Sequence, residues 1–421
     1  MCAVRRLCGK LHVGSIGACA ALALVRAARG GVVAIVVCSI AACATPGARA
    51  PRPEPAVPPS WAWRLDPTVA DSIHTEMLSP SVRMHQLVNR TVPWTAAVLE
   101  LDLAGCVAIR SVKGGATGVG RQTTSALLAG LAPADSAIAA VNADFFSFAP
   151  AGVPTGAHVE RGRVVTGPGS RPVFGIDSAG RPFIGVLLVR GELNNKIGAF
   201  GVSSWNRPQA GVVNVVDARW GAPIDTAVLG QGWLLSPLAG DRYVVRRVGA
   251  ELPTGENVLL VRGRAVDGAP WVLSAGDSVR LRWSLKPMHP IEAVGGFPVL
   301  VRDSAIPAGA AQSGAASFSG PNPRTVVGIS AEGRRVLLVV IDGRRPGISA
   351  GMTLQQTADL MRALGAREAL NLDGGGSSAL VVRDARGGGA PRVVTQPSDA
   401  TGERAVGNAL AVLSRCSASG R

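Results

Sequence analysis

Two aspartates in the C-terminal third of the chain each follow an apolar run that is typical of a buried strand. Asp342 follows residues 336–341, and Asp373 follows residues 369–372. A stretch with helical periodicity, residues 353–364, lies between the two runs, and this order predicts a βαβ crossover with parallel strand pairing. Both carboxylates would then leave the sheet at the same edge, where the sites of such units usually form, with their Cα atoms within roughly 5–10 Å.

The segment after Asp373 is rich in glycine. Its three successive glycines, residues 374–376, let backbone N–H groups approach a ligand closely, and such a turn can form a concavity that holds an anion. One Asp-Gly turn alone would be an ordinary solvated turn. A second Asp-Gly turn begins at Asp342 and carries Arg344 beside it, so the two turns together indicate a binding site.

The remainder of the chain predicts strands far more often than helices. Short apolar or alternating runs bounded by Gly, Pro or Asp are typical of strands, and they include residues 96–103, 137–141, 183–189, 212–216, 258–261 and 278–285. Helical patterns occur at residues 124–132 and 353–364, and the latter begins with a capping box of Thr353 and Gln356. The sequence therefore predicts an α+β fold: a β-rich mixed-sheet single domain with few helices and a C-terminal βαβ unit, spanning residues 75–415.

The N-terminus predicts export and a lipid anchor. Residues 1–43 contain two apolar stretches, and the second ends in Ile-Ala-Ala-Cys, which resembles the bacterial lipobox with Cys43 as the lipidated residue. Cleavage after Ala50 and a transmembrane anchor are alternatives, although the apolar stretch is short for a bilayer span. The proline-rich residues 44–60 predict an extended tether that holds the domain away from a membrane. We expect an exported, lipid-anchored protein of the cell envelope.

Composition excludes several classes of function. The chain carries 43 Lys and Arg against 28 Asp and Glu, a net charge of +15, but no basic run interleaved with aromatic residues predicts nucleic-acid binding. The sequence contains no CxxC pair, so we do not expect a structural zinc or iron–sulfur site. We expect no cofactor, with a bound divalent cation possible where Asp and Asn side chains converge. Cys106 and Cys416, the two cysteines beyond the leader, could form one disulfide or remain two thiols.

Several segments taken together resemble the phosphodiester glycosidase family. They are residues 140–146 (Ala-Val-Asn-Ala-Asp-Phe-Phe), 156–165, 294–300 (Val-Gly-Gly-Phe-Pro-Val-Leu), 322–328 (Asn-Pro-Arg-Thr-Val-Val-Gly), 339–344 (Val-Val-Ile-Asp-Gly-Arg), 371–378 (Asn-Leu-Asp-Gly-Gly-Gly-Ser-Ser) and 403–410 (Glu-Arg-Ala-Val-Gly-Asn-Ala-Leu). The resemblance covers roughly residues 90–415. It implies a hydrolase that cleaves the glycosidic bond of sugar-1-phosphodiesters. One departure is Asp144, since the family often has glycine at this position.

The implied chemistry assigns roles to the candidate residues. A phosphodiester is a good leaving group, so neutralising its charge matters more than protonating it, and guanidinium groups bind phosphate oxygens in bidentate fashion. Carboxylates are still needed to stabilise an oxocarbenium-like centre or to activate water. The catalytic candidates are Asp342 and Asp373, followed by Glu292 and Glu403. The substrate-binding candidates are Asn142, Asp144, Arg324, Arg344, Asn371, Gly374, Gly375, Ser377 and Arg404.

Two other functions remain open at this point. A non-catalytic lipoprotein could bind phosphate-bearing glycans with the same pocket, and it would need the arginines but would tolerate Asp373→Asn. A phosphodiesterase that cuts on the phosphate side would release a sugar phosphate instead of a free sugar. The expected partners are therefore a phosphate-bearing glycan or sugar phosphodiester and, through the lipid anchor, a membrane.

Overall fold

Strands dominate the computed structural model, which describes residues 69–416 except 226–227, 265, 267–270, 311–315 and 384–388. In chain order the strands of the first half are β1 (Ser72–Ser79), β2 (Val82–Asn89), β3 (Trp94–Asp102), β4 (Val107–Lys113), β5 (Ala137–Asn142), β6 (Phe146–Phe148), β7 (Ala151–Pro154), β8 (His158–Glu160), β9 (Arg163–Thr166), β10 (Val173–Asp177), β11 (Pro182–Gly185), β12 (Leu188–Asn194), β13 (Ala199–Val202) and β14 (Ser204–Trp205). The later strands are β15 (Val213–Asp217), β16 (Leu229–Pro237), β17 (Arg242–Val248), β18 (Val258–Gly263), β19 (Ser278–Lys286), β20 (Pro290–Gly295), β21 (Val299–Val301), β22 (Arg324–Ser330), β23 (Arg335–Ile341), β24 (Ala366–Asn371), β25 (Leu380–Val382), β26 (Arg392–Val393) and β27 (Asn408–Ser414).

The helices are few and short, as the sequence predicts. They are α1 (Thr124–Ala129), α2 (Ala316–Ser319) and α3 (Leu354–Ala363), with 3₁₀ turns at Pro133–Asp135 and Gly375–Ser377. The predicted capping box of α3 is present, because Thr353 Oγ1 accepts a hydrogen bond from Gln356 N and the Gln356 side chain accepts one from Thr353 N. Within the described residues, no helix is both long enough and apolar enough to cross a membrane.

Four larger sheets and one hairpin organise these strands. A seven-stranded sheet has the order β1-β2-β3-β23-β22-β24-β21, and a five-stranded sheet has the order β26-β25-β5-β27-β4. A second five-stranded sheet is β11-β10-β20-β8-β9, an eight-stranded sheet is β13-β12-β19-β17-β16-β18-β15-β14, and β6 pairs with β7. Neighbouring strands are antiparallel in most pairs, while β14 and β15 are parallel.

Two of these sheets pack face to face and are covered by helices. Side chains alternate along β3, so Leu99 points into the core shared with β5 and β27, whereas Val98 packs on the opposite side with Leu354 and Met361 of α3. The outer face of the five-stranded sheet with β27 packs in the same way against Leu128 of α1. The resulting layers are helix, sheet, sheet, helix. The strands β5 and β24, which carry or precede residues of the site described below, belong to the two sheets.

The predicted βαβ unit is wrong in one respect. The strand, helix and strand are all present as β23, α3 and β24, but β22 lies between the two strands and pairs antiparallel with each. Consequently β23 and β24 run in the same direction without being neighbours. Asp342 and Asp373 still follow strands at the same end of the sheet, two strand spacings apart, or roughly 10 Å.

A second correction concerns residues 183–189, which the sequence predicts as one strand. The chain instead leaves one sheet and enters another, because β11 ends at Gly185 and β12 begins at Leu188. The predicted strands around residues 96–103, 137–141, 212–216, 258–261 and 278–285 are confirmed as β3, β5, β15, β18 and β19.

The described residues all fall within one compact unit, Pro59–Arg421. The predicted leader at residues 1–43, Cys43 and the tether at residues 44–60 lie outside the described residues. Cys106 and Cys416 form a disulfide with their Cα atoms 4.9 Å apart. Of the two possibilities that the sequence allows, one disulfide or two free thiols, the structure has the disulfide.

Candidate active site

A cleft with a volume of about 320 Å³ opens at the end of the seven-stranded sheet where β24 stops. Its lining combines one carboxyl group, three guanidinium groups, a glycine-rich turn and two phenylalanine rings. These residues are Phe145, Phe318, Asn322, Arg324, Arg344, Asp373, Gly374, Gly375, Gly376 and Arg404. Most of them come from the segments that carry the family resemblance.

Asp373 is held at the cleft by the neighbouring sheet. Its backbone N donates a hydrogen bond to Ala143 O at 2.7 Å, and its carbonyl accepts one from Asn142 Nδ2 at 2.7 Å. Asn142 is fully buried, and its own Oδ1 accepts from Thr325 Oγ1 at 2.6 Å and from Ala379 N at 3.1 Å. Asn142, predicted as a substrate ligand, therefore fixes the backbone that carries Asp373.

Asp144 is 1% exposed and does not line the cleft. Its Oδ2 accepts a hydrogen bond from Gly156 N at 2.6 Å, its Oδ1 accepts from Thr155 Oγ1 at 3.3 Å, and its N donates to Asn408 Oδ1 at 2.8 Å. A Cβ atom placed on Gly295 would lie 2.6 Å from Asp144 Oδ2. The backbone thus encloses this carboxyl group closely.

The two aspartates interact electrostatically. The pKa of Asp373 is raised to about 7, first by burial and also by the nearby charge of Asp144, while the Ser377 hydroxyl, the Gly374 N–H and Arg404 act in the opposite direction. Burial likewise raises the pKa of Asp144 to about 6, against the lowering effects of the Gly156 N–H and nearby cations. Such elevated pKa values in a cleft are typical of functional carboxyl groups.

Three arginines bring positive charge to the cleft. Arg324 is 2% exposed, and it donates from Nη2 to Phe318 O and Gly320 O and from Nε to Met352 O. The pKa of Arg324 is lowered to about 10, mainly by burial and to a smaller extent by the charge of Arg344. Since these two like charges repel each other, an anion bound between them would be stabilised.

Arg344 and Arg404 are more accessible. Arg344 donates from Nη2 to Asn322 Oδ1 at 3.0 Å, and its backbone is left-handed, with φ at 58°. Left-handed backbone at a non-glycine residue is strained and concentrates at functional sites. Arg404 forms a two-point pair with Asp399 at 2.9 and 3.1 Å, which orients its guanidinium beside the glycine-rich turn.

Three of the four predicted catalytic carboxylates are placed outside this cleft. Asp342 accepts hydrogen bonds from Thr95 Oγ1 at 2.7 Å and from Gln396 N at 2.8 Å. Glu292 is buried and accepts from Ser111 N, Ser111 Oγ and Arg161 N. Glu403 accepts from Ser125 N and Oγ at the start of α1. Each of the three connects loops or neighbouring strands, whereas Asp373 alone lines the cleft.

The other predicted ligands support the turn. Asn371 is 1% exposed and donates from Nδ2 to Phe297 O and Leu372 O. Gly375 has φ of 60°, and a Cβ atom there would lie 3.1 Å from Arg344 Nη2, so this turn favours glycine. Ser377 closes the 3₁₀ turn, and its hydroxyl lowers the pKa of Asp373.

Sequence reasoning missed the aromatic wall and two cations near Asp144. Phe145 and Phe318 line the cleft with ring centroids 5.9 Å apart, and the guanidinium of Arg171 lies 5.1 Å from the Phe145 ring centroid. Arg207 donates to the carbonyls of Gly167, Pro154 and Gly156, and its charge lowers the pKa of Asp144. Phe145 lies within a recognised segment, but Arg171 and Arg207 carry no local signal.

In the part of the chain that the structure describes, no group of three or more His, Cys, Asp or Glu side chains is placed to hold a metal ion. The divalent cation that the sequence allows stays a prediction.

The fold and the cleft define a β-rich protein with a buried acidic pair beside a strongly cationic pocket. Residues 244–413 match the family model described as phosphodiester glycosidase. The resemblance predicted from the motifs is thereby confirmed for this part of the chain, which contains Asp373 and all three cleft arginines. No curated protein matches the chain.

Two solved structures share the architecture, and a third is less similar. A hypothetical protein from Synechocystis superposes with a TM-score of 0.65 at 18% identity, over 82% of this chain and 64% of its own length. A protein of Burkholderia pseudomallei K96243 whose title presents it as a candidate exported protein gives a TM-score of 0.57 at 28% identity, over 76% of this chain and 74% of that one. The zebrafish N-acetylglucosamine-1-phosphodiester alpha-N-acetylglucosaminidase catalytic domain, auto-inhibited by its pro-peptide, gives 0.42 at 16% identity, over 83% and 94%.

Proposed function

We propose that the cleft hydrolyses the glycosidic bond of a sugar-1-phosphodiester. The observation that carries this proposal is the position of Asp373, which lines the cleft together with Arg324, Arg344 and Arg404 and is influenced by the buried charge of Asp144. The matched family model supports the reaction type. The identity of the sugar is left to experiment.

The arginines would receive the phosphate group. Arg344 and Arg404 are the accessible pair, and guanidinium groups bind phosphate oxygens through parallel, charge-assisted hydrogen bonds. Arg324 contributes mainly its charge, because its Nε and Nη2 groups already donate to backbone carbonyls. Positive charge stabilises the phosphate monoester as it leaves, so no strong proton donor is required on that side.

Asp373 would act at the anomeric carbon. In the simplest balanced course, its ionised carboxylate accepts a proton from a water molecule, the water oxygen bonds to the anomeric carbon, and the bond from that carbon to the phosphate oxygen breaks. The products are a free reducing sugar and a phosphate monoester. Asp144 does not line the cleft, so we assign it as a positioning residue whose charge keeps the pKa of Asp373 high.

The aromatic wall would bind the sugar. Phe145 and Phe318 present ring surface beside the polar turn, and aromatic faces pack well against the apolar C–H face of a sugar ring. This arrangement places the sugar against the rings and its phosphate toward the arginines.

We also propose that the protein works outside the cytoplasm. The disulfide between Cys106 and Cys416 fits an oxidising compartment, and the Burkholderia neighbour is presented as a candidate exported protein. Lipidation at Cys43 remains a prediction from the sequence, and mass spectrometry of the N-terminal peptide from membranes tests it.

The test is product analysis in ¹⁸O-labelled water, with a methyl phosphodiester of N-acetylglucosamine-1-phosphate as the first substrate in a panel of sugars. Wild-type protein should release free sugar and unlabelled methyl phosphate, as seen by ¹H and ³¹P NMR, whereas Asp373→Asn should bind the substrate without turnover. Label in the phosphate would show cleavage of the P–O bond and a phosphodiesterase. Binding without turnover across the panel would favour the glycan-binding lipoprotein.

A further inference from the structure

One face of the eight-stranded sheet carries a concentration of positive charge away from the cleft lining. We call it the basic strip. It consists of six exposed cations on three adjacent strands, β12, β19 and β17: Arg190, Arg242, Arg246, Arg280, Arg282 and Lys286. Composition alone gave no sign of this clustering, because the cations are spread along the sequence.

Strand register places these residues on the same side of the sheet. Glu192 of β12 is paired with Arg282 of β19, and Arg242 of β17 is paired with Arg280. The alternate residues point the other way, and Val279 and Leu281 are buried in the core of this sheet. Alternation along each strand therefore separates a buried apolar face from an exposed basic one.

Little negative charge balances the strip. Glu192 lies on the same face and forms an ion pair with Arg282 at 3.3 Å, and Arg246 donates to the Ser236 hydroxyl at 3.0 Å. Asp277, at the start of β19, is paired with Lys196. Among the described residues, Arg190, Arg242, Arg280 and Lys286 have no ion-pair partner. Mutual repulsion of these cations would be relieved by a bound polyanion.

The dimensions favour a chain-like partner over a flat one. Three adjacent strands span roughly 10 Å, and the cations of β19 extend over about 20 Å, from strand spacings of about 4.8 Å and a rise of about 3.4 Å per residue. A narrow strip of this kind can follow a linear polymer. Among the described residues of these three strands, Leu188 and Val248 are the large apolar side chains that are exposed, so little apolar surface is available there for insertion into a membrane.

We propose that the basic strip binds a linear polyanion with repeated phosphodiester groups. Five of the six cations are arginines, which suit bidentate binding of phosphate oxygens. The strip would retain the protein on such a polymer independently of the cleft. The choice of a phosphodiester polymer rests on the proposed function, but binding itself does not require the cleft to turn over.

The experiment measures binding of the full-length protein to poly(glycerol phosphate), a linear phosphodiester polymer, at several salt concentrations. The strip variant Arg190→Gln/Arg242→Gln/Arg280→Gln is compared with a control of equal charge, Arg90→Gln/Arg163→Gln/Arg362→Gln, whose residues are exposed on other elements. We expect the plot of log affinity against log salt to lose roughly two units of slope in the strip variant, at about 0.7 per cation removed. The control should keep nearly the wild-type slope.

Three further readings separate the outcomes. Turnover of the small methyl phosphodiester should be the same in wild type and strip variant, so a failure of the cleft proposal would not affect the binding result. If both triple variants lose the same salt-dependence slope, the proposal of a specific strip is overturned, because net charge alone then accounts for binding. Binding to phosphatidylglycerol vesicles but not to poly(glycerol phosphate) would also overturn it, in favour of a membrane surface.

Discussion

Asp373 and Asp144 are coupled, and at the scale of single residues their coupling makes a signed prediction about pH. The pKa of Asp373 is about 7 because the carboxyl group is buried and lies near the charge of Asp144. If Asp373 acts as the base, kcat/KM should rise as pH increases through about 7. Asp144→Asn removes one negative charge, so the pKa of Asp373 should fall and the ascending limb should move to lower pH.

A pH–rate profile of wild type, Asp144→Asn and Glu292→Gln checks this coupling. Glu292 is also a buried carboxyl group with a raised pKa, but it lies outside the cleft, so its removal should leave the limb in place. If the ascending limb of Asp144→Asn stays at the wild-type pH, the charge of Asp144 does not affect the titration of Asp373.

Arg404 should shift the same limb the other way. Its positive charge lowers the pKa of Asp373, and its loss would also leave Asp399 without its partner guanidinium. Arg404→Gln should therefore move the ascending limb to higher pH. The lost contact to phosphate should reduce kcat/KM by roughly 10- to 100-fold, given about 1.5–3 kcal/mol for a hydrogen bond to a charged group. Steady-state kinetics on the methyl phosphodiester at several pH values measure both effects. An ascending limb that moves to lower pH in Arg404→Gln would contradict this placement of Arg404.

The same residues show what sequence can predict about a site. Asp373, the glycines of its turn and the three arginines were identified because they lie within short, ordered motifs. The sequence predicts Asp342 as the partner of Asp373, yet in the structure the carboxylate whose charge acts on Asp373 is Asp144. Two strands that follow each other in sequence suggested the first pairing, whereas the packing of two sheets decides the second, and one sequence does not encode that packing locally.

The glycine-rich turn lies against the guanidinium of Arg344, and Gly375 is the residue at which this close approach can be tested. Alanine at Gly375 would be strained by the positive φ and would also press on Arg344 Nη2. Gly333 has a similar φ of 68° with nothing near its missing side chain, so Gly333→Ala imposes the strain alone. Both changes should cost about 1 kcal/mol of folding stability, but only Gly375→Ala should raise KM for the phosphodiester. Thermal unfolding and kinetics of the two variants decide this; equal KM values would remove the turn from substrate binding.

Elements with strong local signals were predicted well. The helix α3 has a capping box, an apolar stripe and a terminal glycine, and its observed bounds differ from the prediction by one residue at each end. The order of strands in the sheet was harder, because β22 precedes β23 in sequence but separates it from β24 in space. The prediction of a single strand at residues 183–189 was wrong for a related reason, because an apolar run does not reveal that the chain changes sheets between β11 and β12.

At the scale of the whole molecule, the disulfide connects distant parts of the sequence but neighbouring strands. Cys106 precedes β4 and Cys416 follows β27, and these strands pair from Val107 with Ser414 to Lys113 with Asn408. Asn408, which binds the backbone of Asp144, is at the opposite end of β27, roughly 20 Å away along the strand. The disulfide should therefore affect folding stability rather than the cleft.

Its contribution to stability should be large because the bond closes a loop of 310 residues in sequence. Chain-entropy reasoning gives an upper value of about 6 kcal/mol for a loop of this length, with smaller values usual in practice. Cys106→Ser/Cys416→Ser should lower the free energy of unfolding by about 2–5 kcal/mol in urea titrations under oxidising conditions, and kcat at temperatures well below unfolding should match wild type. Added reductant should lower the wild-type value toward that of the double variant and leave the variant unchanged. If oxidised wild type and the variant unfold at the same urea concentration, the two cysteines are not paired in the folded protein, and the disulfide no longer supports work in an oxidising compartment.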